Sequence, residues 1–176
     1  MNDSYRRVMV TLVLPFVFLV GFPIAAFLFD DINTIPYLDQ APADFLATIF
    51  GVILVAVGLL LISKTIPLFL KQSEGTNMPW DPIPELIVEG VYRYVRNPMH
   101  TGVFAVMLGE GLLLRSRSIL IFAIFAILLH LFYIPFSEEK GLEERFGEDY
   151  LVYRENVPRW IPRLSPWEPE DQQTDA

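Results

Sequence analysis

The chain has no cysteine. Disulfides, thiolate metal sites and cysteine nucleophiles are therefore excluded. Histidine is scarce: only His100 and His130 occur, too few for a histidine-rich metal centre. Charge is scarce as well. Only 19% of the 176 residues are charged, and these are clustered rather than spread. Acid exceeds base by 21 residues to 13, for a net charge of -8 and a pI near 4.7. Nucleic-acid binding asks for a basic footprint, and none is present, so no nucleic-acid partner is expected. Much of the acid sits in the last residues, Glu168, Glu170, Asp171 and Asp175, which read as a solvated, disordered tail over 164–176.

What fills the space is apolar. The apolar share is 53% and the mean hydropathy +0.41, both high for a soluble domain. Because the charges cluster, four long apolar runs remain, at about 8–29, 45–63, 99–114 and 119–136. Each is close to the ~20 residues that cover the hydrocarbon core of a bilayer. The expected fold class is all-α integral membrane: four transmembrane helices, the last two a C-terminal helical hairpin, followed by cytoplasmic C-terminal helices. Residues 1–163 form a single transmembrane domain in this reading. A secretory signal is rejected for the first run, which is longer than the ~7–15 apolar residues of such signals and lacks a small-residue cleavage site. Pro67 is expected to bend the second helix or mark where it protrudes. No internal repeat is evident.

Lysine and arginine set the orientation. With four spans, both termini and the 64–98 loop share one side, which carries eleven of the 13 basic residues; Arg115 and Arg117 alone lie on the other. The positive-inside rule then places both termini in the cytoplasm.

Two polar stretches interrupt the apolar pattern at that face. One is Gly90-Val91-Tyr92-Arg93-Tyr94-Val95-Arg96-Asn97-Pro98-Met99-His100-Thr101-Gly102, which leads into the third span. The other is Ser137-Glu138-Glu139-Lys140, which leaves the fourth. Pro98 suits the first turn of a helix with Asn97 as its N-cap. At ~1.5 Å per residue, His100 and His130 lie about 24 and 21 Å from the hairpin turn, so they share a depth. Glu110, about 9 Å from the turn, belongs to the other face, as helix–helix glue or a partner for Arg115 or Arg117. His130, Ile134, Ser137 and Glu138 recur on one helical face. An imidazole and a carboxylate on such a face point to a protein interior or a wet cavity rather than to lipid. A helix–helix hydrogen bond accounts equally well for His130 taken alone.

Taken in order, the motifs resemble those of the isoprenylcysteine carboxyl methyltransferase and phospholipid methyltransferase family. They are Gly90-Val91-Tyr92, Arg96-Asn97-Pro98, Gly102, Glu138-Glu139, Phe146-Gly147-Glu148-Asp149-Tyr150 and Val157-Pro158-Arg159, spread over residues 77 to 163. The resemblance implies a membrane methyltransferase using S-adenosyl-L-methionine. It implies cofactor contacts at Asn77, Pro84, Glu85, Leu86, Ile87 and Tyr92, at Asn97, Pro98, Met99 and His100, and at Glu138. His130 and Ile134 are the candidates for substrate contact. Two features depart from the family pattern: Asn97 and His100 stand where His and Tyr are frequent, and Ile134 stands where an arginine accompanies a prenylcysteine carboxylate. The expected acceptor is a lipid or other apolar small molecule entering from the membrane. An amine or thiol acceptor must lose a proton, which His100 or His130 can take, whereas a carboxylate needs no base. Two other readings stand beside this one: a membrane reductase using a nicotinamide cofactor, and a non-enzymatic four-span scaffold. The sequence leaves the oligomeric state open.

Overall fold

A computed structural model describes residues 17–29, 35, 40–73 and 86–168. Among these residues there is no β-strand, only helices and their connections. A π-turn at Val17–Gly21 leads into α1 (Phe22–Phe29). Then come α2 (Ala43–Ser73), α3 (Pro98–Leu113) and α4 (Arg117–Tyr133). A second π-turn, Ile134–Glu138, joins α4 to α5 (Glu139–Asn156). The first part of the earliest apolar run, residues 8–16, lies outside the described residues.

Two helical stretches, Ala43–Leu68 and Arg117–Phe136, are long and apolar enough to cross a bilayer. Their apolar side chains are largely exposed, among them Phe45, Phe50 and Leu60 on α2 and Phe125, Phe132 and Phe136 on α4 and its extension. In water such a surface would be costly; against lipid it needs no further cover. With 31 residues, α2 is about 46 Å long, more than the ~30 Å hydrocarbon core. It therefore continues beyond Ser63 and Lys64 into the polar zone, unbroken through Pro67 rather than ending there.

The packing of α2 on α3 is written in small residues. A first side-chain carbon added to Gly58 would lie 2.5 Å from the Gly102 carbonyl oxygen, and one on Gly102 would lie 2.8 Å from that of Gly58. Two turns away, Gly109 would meet the Gly51 carbonyl oxygen at 2.8 Å, and Gly51 that of Gly109 at 3.1 Å. The backbones touch there, which only glycine permits. Each glycine is also covered by a large side chain of the other helix: Val106 over Gly58, Ile62 over Gly102, Val55 over Gly109 and Leu113 over Gly51. Both helices thus carry glycine, a large residue four on, and the same pair again after seven, antiparallel and in register. Lacking a hydrophobic drive between helices in lipid, close backbone approach of this kind is what holds them.

The α3–α4 hairpin closes tightly. Arg115 takes a positive φ of 50°, the Ser116 hydroxyl accepts from the Ile119 N–H at 3.3 Å, and Gly111 leaves room for Leu120. At this end Arg115 pairs with Asp44 at the start of α2. Arg115 is thus spoken for by Asp44, and the Oε2 atom of Glu110 is buried without a hydrogen-bond partner among the described residues. Met107, Ala123 and Ala126 form the centre of the hairpin, and Leu19 packs against them from the N-terminal turn.

Beyond α4 the chain turns back. Gly147, with φ 54° and ψ −125°, breaks α5 into two segments. Arg154 after the break reaches Glu143 before it at 2.8 Å. The second segment buries Tyr150, Tyr153 and Val157 against Leu86, Val88, Leu142, Phe146 and Trp167.

Candidate active site

The polar lead-in to α3 begins with a 3₁₀ turn, Gly90–Arg93. Gly90 has φ +54°, and a side chain there would also crowd Leu68 of α2 at 3.0 Å. The turn is held from behind by α5, since the Tyr153 hydroxyl donates to the Tyr92 carbonyl at 2.8 Å. It is held from the side by the C-terminal strap, residues 157–168. There the Arg96 N–H donates to the Pro158 carbonyl at 2.9 Å, the Arg163 N–H to that of Tyr94 at 3.0 Å, and the Trp167 N–H to that of Arg93 at 2.9 Å. Arg93 returns the contact, donating to the Trp167 carbonyl at 2.7 Å and pairing with Glu168 at 2.7 Å. Trp167 and Glu168 fall in the segment the sequence reading gives to the tail, yet they dock here.

Asn97 occupies the N-cap position of α3 and Pro98 its first turn, as expected. The Asn97 side chain makes no capping bond, however; the Asn97 carbonyl accepts from the Thr101 N–H at 3.0 Å. The strap touches the helix start separately, with the Thr101 hydroxyl donating to the Trp160 carbonyl at 3.2 Å. Met99 and His100 follow on the first turn, partly exposed.

His100 and His130 meet. Their ring centroids are 5.1 Å apart, so the shared depth inferred from helix rise is what the fold delivers. Phe104 lies 5.2 Å from His130, edge to face, and Trp160 of the strap lies 5.7 Å from Phe104. The Trp160 indole N–H is buried with no hydrogen-bond partner among the described residues. Nδ1 of His130 is 2.8 Å from the Ala126 carbonyl, one turn back. A carbonyl only accepts, so this nitrogen carries the proton in the neutral ring.

The adjacent acids do different things. The π-turn at Ile134–Glu138 inserts an i to i+5 step, with the Glu139 N–H reaching the Ile134 carbonyl. Ile134 is wholly buried there. Glu139, with only 6% of its side chain exposed, spends both oxygens on arginines. Arg96 meets it at 2.9 Å, and Arg159 meets it as a fork at 2.7 and 2.5 Å. Arg96 also donates to the Tyr150 hydroxyl at 3.3 Å. Glu139 raises the Arg159 guanidinium still further above its ordinary value through these hydrogen bonds.

Glu138 looks the other way, toward Tyr92 and His130. Burial raises its carboxyl above the ordinary value, His130 opposes that rise, and Glu139 adds to it. Burial, with the Glu138 charge second, pushes the Tyr92 phenol up to about 12. Among the described residues no lysine or arginine pairs with Glu138. The pair therefore fits the positive end of S-adenosylmethionine: a carboxylate with no cation paired to it among the described residues, close enough to the Tyr92 phenol to act on it. Leu86 and Ile87 sit in the irregular lead-in, Leu86 against the Tyr150 cluster and Ile87 buried. Asn77, Pro84 and Glu85 lie outside the described residues.

Sequence reasoning singled out Glu138 but gave no part in the site to Glu139, Arg159, Tyr150 or Tyr153, and read Trp160 only as suited to the membrane–water boundary. For some of them a signal existed, since Val157-Pro158-Arg159 and Phe146-Gly147 belong to the motif set. What it lacked was the fold that brings them onto Arg96 and Tyr92.

A helical fold with bilayer-length helices, and polar side chains gathered at one end of a hairpin, defines the class: a membrane protein of the helical type. The phospholipid methyltransferase family model matches residues 46–149, more than half of the chain, and the chain belongs to that family. It is 35% identical over 81 residues to the protein-S-isoprenylcysteine O-methyltransferase of Schizosaccharomyces pombe, a stretch that is 45% of this chain and 34% of that one. It is 32% identical over 81 residues to protein-S-isoprenylcysteine O-methyltransferase B of Arabidopsis thaliana, 44% of this chain and 40% of that one. The matched stretch is thus well under half the length of either relative. Membership of this family does not favour the nicotinamide reductase or the scaffold.

Proposed function

We propose that the protein is an integral membrane methyltransferase that moves a methyl group from S-adenosylmethionine to a lipid or other apolar small molecule. Four spans, with both termini in the cytoplasm, put the site at the cytoplasmic face. The observation that carries this reading is the convergence of Tyr92, from the lead-in to α3, with Glu138, from the end of α4. Two remote segments supply an electron-rich ring and a carboxylate to one place.

In this reading Glu138 holds the ammonium or the ribose hydroxyls, Tyr92 faces the positive charge, and backbone groups near Leu86 and Ile87 meet the adenine edge. Asn77, Pro84, Glu85, Asn97, Pro98, Met99 and His100 complete the lining. The bound cofactor supplies an activated methyl on a sulfonium. Methyl transfer is an in-line displacement, so the chain contributes mainly by positioning and by excluding water. His130, with Ile134 behind it, faces the acceptor, and the exposed apolar surface of α4 is the natural approach from lipid. The names of the relatives support methyl transfer in this family.

The test is a binding titration of purified protein in detergent. S-adenosylhomocysteine is expected to bind and NADPH is not. Binding of NADPH alone, or of neither, overturns the reading. Labelled methyl donor with a membrane lipid extract then identifies the acceptor.

A further inference from the structure

His130 stands outside the cofactor lining proposed above, and its geometry says more about the acceptor. His130 is fixed in one tautomer by the Ala126 carbonyl at 2.8 Å, which leaves Nε2 with a free lone pair in the neutral ring. The ring packs against both His100, 5.1 Å away, and Phe104, 5.2 Å away. Glu138 is near enough for His130 to act on its carboxyl. Three arginines at this end of the hairpin are already engaged. Arg93 is held by Glu168 and the Trp167 carbonyl, Arg96 by Glu139 and Tyr150, and Arg159 by Glu139. Freeing Arg96 or Arg159 would leave the buried Glu139 with one guanidinium in place of two.

We infer that His130 acts as the base that removes a proton from the acceptor. The molecule methylated then presents a thiol, an amine or a hydroxyl, not a carboxylate. This rests on the reading of the protein as a methyltransferase. The acceptor atom forms its bond to the methyl carbon as the carbon–sulfur bond of the sulfonium donor returns its electron pair to sulfur. The acceptor's proton passes to Nε2 of His130. Phe104 and Trp160 give the acceptor's apolar part an aromatic wall.

Four simple probes separate the possibilities: decanethiol, decylamine, decanol and decanoate, each offered with labelled S-adenosylmethionine to the full chain in detergent. At least one of the first three is expected to be labelled, and decanoate at least about 100-fold more slowly. His130→Asn keeps a donor for the Ala126 carbonyl but has nothing in place of Nε2. It should lower the transfer about 100-fold or more while leaving S-adenosylhomocysteine affinity within about twofold. A readout apart from activity is ¹⁵N NMR of the labelled imidazoles, assigned with His100→Asn because there are only two histidines. It should show His130 protonated at Nδ1 and bare at Nε2. The inference is overturned if decanoate is labelled as fast as any other probe, or if no probe but decanoate is labelled while S-adenosylhomocysteine binds. It is overturned equally if no probe is labelled while that nucleoside binds, if His130→Asn transfers normally, or if Nε2 carries the proton. Wild-type protein that does not bind S-adenosylhomocysteine is a different failure, that of the methyltransferase reading itself.

Discussion

The seam between α2 and α3 and the clamp around Glu139 solve the same problem with opposite chemistry. The seam joins two helices by removing side chains, so that the backbones at Gly58 and Gly102 touch. The clamp joins three segments by burying charge, with one carboxylate shared between Arg96 and Arg159. A seam of glycines is indifferent to salt and pH but tolerates no added carbon. A buried ion triad tolerates small shifts but not the loss of a partner, because what remains is an uncompensated charge. The apolar part of the molecule is thus specified by shape, and the polar end by electrostatics.

Substitutions break this contrast in a definite order. Gly58→Leu should do the most damage, since its first added carbon already lies 2.5 Å from a backbone oxygen. We expect a loss of about 4 kcal/mol or more, read as failure to recover folded protein from the membrane. Glu139→Gln leaves two arginines without their anion and should cost about 3 kcal/mol, read by thermal unfolding in detergent. Its signature is early proteolytic cleavage of the strap at 157–168, with α2 and α3 still protected; uniform loss of protection would put the clamp and the seam in one cooperative unit.

Alkaline pH tests the polar end alone. The Tyr92 phenol is raised from 10.0 to about 12 in the folded protein. A raised value means that the folded state holds its proton more tightly than the unfolded state. The stabilisation is therefore fully present below pH 10 and is lost as pH rises toward 12, about 2 to 3 kcal/mol in all. Tyr92→Phe should flatten that part of the stability curve, and an unchanged slope would count against the burial of the phenol. Glu138→Gln, next to the clamp but outside it, should leave stability nearly untouched and weaken S-adenosylhomocysteine binding about tenfold, or about 1.4 kcal/mol. Equal effects of Glu138→Gln and Glu139→Gln on both readouts would erase the division of labour between the two acids. A purely local effect is expected at Gly147→Ala. Nothing obstructs the added carbon, so only the backbone conformation, φ 54° with ψ −125°, costs, about 1 to 3 kcal/mol.

Much of this end of the molecule is legible in the sequence because its periodicities are local. Hydropathy marks α4 to within a few residues, and helix rise alone puts His100 level with His130. The seam is harder to read. Glycines seven apart are common in membrane helices, and nothing in one helix says that the other carries the complementary spacing. Glu138 and Glu139 are harder still. On a regular helix they would point about 100° apart, but which of them turns inward depends on the π-turn, and that depends on packing. Asn97 shows the reverse: its local preference places the helix start correctly, although its side chain makes no capping bond.

The strap has a consequence for how the protein comes into being. The turn around Tyr92 leaves the ribosome well before residues 157–168, which hold it. Until then the lead-in to α3 lacks its three backbone partners and Glu139 lacks Arg159. This polar end is therefore the last part of the described chain to be completed, and a nascent chain halted at Asn156 would carry every helix described here with the turn around Tyr92 still unheld by the strap.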